Sequence, residues 1–227
     1  MPKLGMGPIR REQICRAAAK VIADQGFAGT TMRMVADEAG VSTGMLNHYF
    51  ANRMEMLEAT LLFVSERQQG REAAAIVGSE PGEARLRTLI RAMLPTDQET
   101  MESWRVWIAA HGASVRLPEL RRVMSARNDL WFKIIDRGLE GIVPANGKEK
   151  VPFAWQLDAL ARGLVIQAIS TGEDISFDDI EQALIDAAVE HGRAVSGNGA
   201  RKKSAAKPAP KARRRATTAK PAGRGHS

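Results

Sequence analysis

Several features that would assign this sequence to a particular class of protein are missing. The 227 residues include a single cysteine, Cys15, so the chain cannot form an internal disulfide bond. Apolar stretches such as LLFV at 61–64 are interrupted by charged residues far short of the roughly 20 residues that a spanning helix needs. No segment has the basic start, apolar centre and cleavage site of a signal peptide. We therefore expect a cytoplasmic protein that does not enter a membrane.

Signatures of catalysis are also missing. The sequence has no phosphate-binding glycine loop, its four histidines lack the spacing of metal ligands, and no nucleophile motif surrounds Cys15. We predict that the protein is not an enzyme, that it has no catalytic or metal-binding residues and that it uses no cofactor.

Acidic residues are absent from the C-terminal end. Residues 197–227 hold ten Lys or Arg and no Asp or Glu, which leaves 23 basic and 26 acidic residues in the rest of the chain. This segment has no aliphatic residue larger than Ala, so burial cannot offset its ordering entropy, and we predict a disordered basic tail. A polycation adds sequence-independent affinity for phosphate backbones, while a solubilising extension without a further role is the alternative.

Apolar residues spaced three and four apart, by contrast, are abundant. They predict a first helix over residues 10–25 that stops at Gly26, a long helix from Arg53 to about Ala75, and further helices up to residue 196. A loop at 142–152 breaks the pattern. No stretch alternates convincingly with a period of two, so the predicted class is all-α.

Residues 30–50 have the pattern of a helix-turn-helix. Hydroxyl side chains cap two short helices, of about 31–39 and 43–50, and a glycine gives the first helix a left-handed exit before an apolar plug in the turn. The capping residues are Thr30, Thr31 and Ser42. The glycine at the end of the first helix is Gly40, and the apolar residue in the turn is Val41. We predict a helix-turn-helix domain over 1–52, a helical regulatory and dimerisation domain over 53–196, and the tail over 197–227.

Gly44 stands near the start of the second short helix, where glycine costs roughly 1 kcal/mol relative to Ala. Close approach to a DNA strand explains it, because a recognition helix enters the major groove by its N-terminal residues. A structural corner without DNA contacts is the alternative. Candidate DNA-binding residues are Thr30, Thr31, Ser42, Thr43, Gly44, Met45, Asn47, His48, Tyr49 and Arg53.

The segment TTMRMVADEAGVSTGMLNHYFANRMEMLEATL closely resembles the DNA-binding part of the tetracycline-repressor (TetR) family. The opening MPKLGMGPIRREQI and the HYF triplet are similar to its BetI-like branch of choline-responsive repressors. The resemblance implies a homodimeric repressor that binds a palindromic double-stranded DNA operator and responds to a small molecule. Where that branch carries an Asp-Gly-Leu-Trp-Leu-Arg run, this sequence has Arg162 in place of the acid and Val165 in place of the tryptophan.

Six of the eleven aromatic residues fall between 104 and 155. Aromatic faces bind quaternary ammonium groups by cation-π attraction, so a choline-like or other cationic effector is one interpretation and ordinary core packing is the other. A counter-charge could come from Glu102, Asp129 or Asp158. The candidate effector-binding residues are Trp104, Trp107, Trp131 and Trp155.

Two other functions stay open at this point. One is a TetR-like repressor of unrelated genes with a different effector. The other is a nucleoid-type protein that binds DNA nonspecifically through its tail. Truncation after residue 196 distinguishes the second from a repressor, since only a repressor keeps sequence-specific binding without the tail.

Overall fold

The computed structural model describes residues 6–144, 150–171 and 175–205, and within these ranges all regular secondary structure is helical. The predicted all-α class is thus confirmed. No helix in this part of the chain is long and apolar enough to cross a membrane. The helices are α1 (Met6–Gly29), α2 (Met32–Ala39), α3 (Thr43–Tyr49), α4 (Arg53–Ala75), α5 (Glu83–Met93), α6 (Gln98–Ser114), α7 (Pro118–Gly138), α8 (Lys150–Thr171) and α9 (Phe177–Ala205).

Local signals set the ends of the first three helices. The helical path of α1 is interrupted at Gly26, whose φ of 68° lies in the left-handed region. The Thr31 hydroxyl accepts a hydrogen bond from the Met34 amide at 3.2 Å and begins α2, and Gly40, with φ 63°, ends it. The predicted helix-turn-helix is therefore present.

A first core joins this unit to the helices that follow. Helix α1 packs against α2, α4 and α6. The buried cluster contains Ile22 and Leu46 from the N-terminal helices together with Val106 and Ala110 from α6 and Leu120 from α7. This core crosses the predicted domain boundary at residues 52/53, so a displacement of α6 changes contacts that hold the helix-turn-helix in place.

A second core lies between α5, α7, α8 and α9 and includes Leu89, Ile135, Val165 and Leu184. Ion pairs fix α9 against α5, because the buried carboxylate of Glu181 accepts from Arg87 at 2.7 Å and from Arg91 at 2.5 Å. Hydrogen bonds from both guanidinium groups hold the pKa of Glu181 below its usual value, although burial acts in the opposite direction.

Two predicted boundaries differ from the structure. Helix α8 begins at Lys150, inside the predicted loop; Pro152 is tolerated because the first turn of a helix needs no amide donor there. Helix α9 continues to Ala205, so residues 197–205 of the predicted disordered tail are helical. The high helix propensity of Ala, Lys and Arg favours a helix only from Ala200 onward, since Gly197 and Gly199 disfavour it. Residues 206–227, for which disorder was also predicted, lie outside the described residues.

Candidate functional site

Helix α3 presents a polar face to solvent. Thr43, Asn47 and His48 are exposed, and 44% of Met45 is exposed as well. Leu46 and Phe50 are buried and hold the helix against the first core, as their spacing of four predicts. Ser42 caps the helix by accepting from the Met45 amide at 3.1 Å. The N-terminus and outer face of α3 are therefore free to meet another molecule.

Among the described residues, nothing requires a glycine at position 44. It lies in α3 and has no positive φ, and a Cβ built on it would come only within 3.8 Å of the Ser42 hydroxyl. An alanine would fit this position and would favour the helix. A side chain at position 44 would obstruct only another molecule that approaches α3 from outside.

Thr30 differs from its prediction as a DNA contact. Its side chain is completely buried, and the hydroxyl donates to the Gly26 carbonyl at 2.8 Å. Thr30 thus closes the last turn of α1. Its neighbour Thr31 is exposed and stays in the candidate set.

Arg53, predicted to clamp the DNA backbone, also forms hydrogen bonds within the protein. Its Nε donates to the Thr30 carbonyl at 2.5 Å, and its Nη2 donates to the carbonyls of Phe27 and of Ala28. The guanidinium therefore satisfies carbonyl groups at the C-terminal end of α1, where a cation is favoured. Arg53 ties the start of α4 to the segment between α1 and α2.

Arg11 is a residue that the sequence analysis missed. It donates to the Tyr49 carbonyl at 3.3 Å, lies 4.6 Å from the centre of the Phe50 ring and is 3.8 Å from the Glu55 carboxylate. It holds the C-terminal end of α3 from a position 38 residues away in the sequence. No local pattern points to such a contact.

A cavity of about 430 Å³ lies between α4, α6, α7 and α8. Trp104, Trp107, Trp131 and Trp155 all line it, so the structure brings together the four candidate effector-binding residues. The Trp104 indole donates to the Met93 carbonyl at 2.8 Å, which fixes that ring. Aromatic faces from three different helices thus surround one space.

Charged groups line the same cavity. From α4, Glu72 is 3% exposed and lies 2.8 Å from the Gln68 amide nitrogen. From α8, Asp158 accepts from Arg162 Nε at 2.7 Å, and Arg162 Nη1 lies 3.1 Å from His111 Nε2. The cavity therefore combines aromatic rings with carboxylates and guanidinium groups.

His111 is held in one neutral form. Its Nδ1 lies 2.9 Å from the Trp107 carbonyl, so Nδ1 carries the proton and Nε2 accepts from Arg162. Partial burial in the cavity wall lowers the pKa of His111 below 6.5, and the hydrogen bond to Trp107 opposes that shift.

The three acids considered as counter-charges have different surroundings. Asp158 lines the cavity, whereas Glu102 does not and lies near Lys20 and Asp24 of α1. The side chain of Asp129 lies outside the described part of the chain. Glu72 was missed, although it continues the buried face of α4 at a spacing of four from Gln68.

Comparison with known proteins identifies the chain. Residues 14–60 match the family of bacterial regulatory proteins called tetR, and residues 82–193 match the BetI-type transcriptional repressor C-terminal family. The HTH-type transcriptional regulator BetI of Burkholderia mallei is 38% identical over 180 residues, covering 77% of this chain and 89% of that protein. The regulator of the same name from Rhizobium meliloti is 31% identical over 178 residues, covering 78% of this chain and 87% of that one.

A solved structure has the same fold. The transcriptional regulator from Saccharomonospora viridis, determined in complex with choline, matches with a TM-score of 0.71 at 24% identity, covering 79% of this chain and 95% of that one. The chain is thus a helix-turn-helix transcriptional regulator of the TetR family, a family of DNA-binding dimers and not of enzymes. Within that family it belongs to the BetI type.

Proposed function

We propose that the protein is a cytoplasmic homodimeric repressor that binds a palindromic operator through α3 and releases it when a cationic, choline-like effector occupies the tryptophan-lined cavity. The observation that carries this proposal is that all four tryptophans of the chain line one cavity in the regulatory part of the molecule.

On the DNA side, the exposed face of α3 carries the groups that such a contact needs. Thr43 and the Ser42-capped helix N-terminus suit a phosphate or a thymine methyl, and Asn47 and His48 suit base edges or phosphate oxygens. Gly44 lets a sugar-phosphate strand come close to the helix. Tyr49 is half-buried, and its ring contacts that of His48, with ring centres 5.4 Å apart.

Dimerisation places two such helices on one duplex. Large apolar side chains of α8 remain exposed, including Val151 (63%), Leu160 (39%) and Ile166 (40%). A second copy that covers α8 and α9 removes this surface from water, and a two-fold axis then sets the two α3 helices about 34 Å apart, one turn of B-DNA. A palindromic operator follows from that symmetry.

On the effector side, each aromatic face contributes about 0.5 to 2 kcal/mol toward a quaternary ammonium ion. Glu72 and Asp158 add negative charge to the lining of this cavity. The fold match to a regulator solved with choline supports the same class of effector. The alternative, a TetR-like repressor of unrelated genes with a different small-molecule effector, uses the same cavity and leaves the mechanism unchanged.

The route from cavity to DNA runs through two helices. Helix α4 contributes Glu72 to the cavity, and at its other end Arg53 binds carbonyl groups beside α2. Helix α6 contributes Trp107 to the cavity and also packs on α1. An effector that displaces either helix alters the separation of the two α3 helices, with an expected coupling of roughly 1 to 3 kcal/mol.

An electrophoretic mobility assay with a fragment of the gene's own promoter tests the proposal. Sequence-specific binding is expected to weaken as choline is added and to survive truncation after Ala205. A cationic effector is excluded if choline and other quaternary ammonium ions leave the complex unchanged. A nucleoid-type protein instead binds any fragment equally and loses that binding with the tail.

A further inference from the structure

We infer that the cavity has an oxyanion subsite formed by Arg121 and Arg162, so that the effector is a zwitterion in which an anionic group is linked to the cationic head. This inference rests on the proposed function and identifies the chemical class of its effector. It follows from how charges are distributed along the cavity.

One end of the cavity is acidic and aromatic. The Gln68 amide donates to the Ala92 carbonyl at 3.0 Å and to Glu72, while the Trp104 indole donates to the next carbonyl, that of Met93. Glu72 and Trp104 therefore lie at the same end. Trp131 and Trp155 are both packed on the Phe132 ring, with ring centres 5.0 and 4.5 Å from it, respectively. These groups suit a cationic head.

The other end is basic. His111 and Ser114 follow Trp104 along α6, and at a rise of 1.5 Å per residue His111 lies about 10 Å further along the helix. Arg162 bonds to His111 at this end, and Arg121 donates to the Ser114 carbonyl at 3.4 Å. On α7, Arg121 and Trp131 are ten residues apart and therefore about 15 Å apart along the helix. Arg121 lies toward the basic end and Trp131 toward the acidic end.

Donor groups at the basic end are only partly used. Arg162 donates from Nε to Asp158 and from Nη1 to His111, while no described residue accepts from Nη2. Arg121 is exposed and donates to the carbonyls of Ser114 and Val115, and no described carboxylate pairs with it. Two guanidinium groups with N–H donors to spare are the arrangement that carboxylates and phosphates bind.

The formal charges explain why a simple cation is not the best occupant. The lining carries two acids, Glu72 and Asp158, and two guanidinium groups, Arg121 and Arg162, while His111 is neutral. Because Asp158 is paired with Arg162 at the basic end, Glu72 is the acid at one end and Arg121 the unpaired guanidinium group at the other. A lone ammonium ion satisfies the acidic end only. A zwitterion meets both ends and gains charge-assisted hydrogen bonds at the basic one.

Isothermal titration calorimetry of the full-length protein with choline, carnitine and phosphocholine tests the subsite. The three share a trimethylammonium head, and the last two add a carboxylate or a phosphate. We expect at least one zwitterion to bind about tenfold or more tightly than choline. Which of the two binds better shows whether the anionic group is a carboxylate or a phosphate.

Variants separate the subsite from the rest of the cavity. Arg121→Gln is expected to lower the affinity for the zwitterion about fivefold or more and to change the affinity for choline less than about twofold. Arg162→Gln is expected to lower the affinity for the zwitterion by the same factor. Arg122→Gln, an exposed neighbour that does not line the cavity, serves as the control and changes neither. Equal affinities for all three ligands overturn the oxyanion subsite while the cationic effector stands, and failure of all three to bind overturns the cationic effector itself.

Discussion

Nε of Arg53 lies 2.5 Å from the carbonyl oxygen of Thr30, so the first residue of α4 is bonded to the segment that leads into α2. Because α4 also lines the cavity through Glu72, one rigid helix connects the effector-binding region to the helix-turn-helix. The contact gives Arg53 a role inside the protein.

Arg53→Ala tests that role. Loss of the hydrogen bonds from its charged guanidinium is expected to lower the free energy of unfolding by about 2 kcal/mol in urea denaturation. Arg33→Ala, on an exposed arginine of α2, is the control and should change stability by less than about 0.5 kcal/mol. If Arg53 instead clamps a phosphate, stability stays the same and the salt slope of DNA binding falls by about 0.9.

Replacement of Asn47 and His48 by Ala tests the reading face of α3. Both side chains are exposed, so folding stability should stay within about 0.5 kcal/mol of the unmodified protein, while affinity for the specific DNA fragment should fall about tenfold or more. The protein truncated after Ala205 is used to reduce nonspecific attraction by the tail, because it keeps only Arg201, Lys202 and Lys203 of the ten basic residues. Gln25→Ala, an exposed amide on α1, is the matched control. Undiminished binding by the double variant would contradict this interpretation of α3.

Gly44→Ala should separate stability from DNA binding. Since no residue that the structure describes obstructs a Cβ at this position, the variant is expected to be about 0.5 to 1 kcal/mol more stable, while operator affinity falls about tenfold. Gly70→Ala in α4, which is also free of close neighbours, should give the same gain without the loss. Equal DNA affinities for the two variants would show that no strand approaches Gly44.

Trp131→Leu tests the contribution of cation-π attraction. The affinity for choline is expected to fall about 3- to 30-fold, the loss of one aromatic face. The neutral isostere of choline, with carbon in place of nitrogen, serves as the control ligand. The affinity for this isostere should change less than about twofold. If both ligands lose the same affinity, Trp131 contributes shape and not charge recognition.

The lowered pKa of His111 predicts a dependence of stability on pH. The unfolded chain takes up a proton near pH 6.5 and the folded chain only at lower pH, so stability is fully present above pH 6.5 and is lost as the pH falls through the folded-state pKa. His111→Gln removes this contribution. Urea denaturation at pH 7 and pH 5 should show a larger loss for the unmodified protein; identical losses would exclude a contribution from His111.

The parts of the molecule that depend on neighbouring residues could be predicted from the sequence. Ser42 and Gly40 act within a few residues of their positions, so caps and turns define α2 and α3 without reference to the rest of the chain. The predicted start of α4 at Arg53 agrees with the structure for the same reason.

The direction of polar side chains could not be predicted in this way. Thr30 and Arg53 stand in a polar segment next to the recognition helix and were assigned to DNA, but carbonyl groups at the end of α1 take their hydrogen bonds. Whether a donor points outward depends on unsatisfied acceptors on other elements. The cavity also depends on other elements, because Glu72 and Trp155 line one space only once four helices are packed together.

The scarcity of aromatic residues in this chain makes its optical signals easy to assign. Every tryptophan lines the effector cavity, and the single tyrosine, Tyr49, lies on the helix proposed to read DNA. Indole emission therefore reports on occupancy of the cavity without a contribution from elsewhere in the chain. Each of the two sites thus carries its own intrinsic chromophore, so events at either one can be followed without attaching a label.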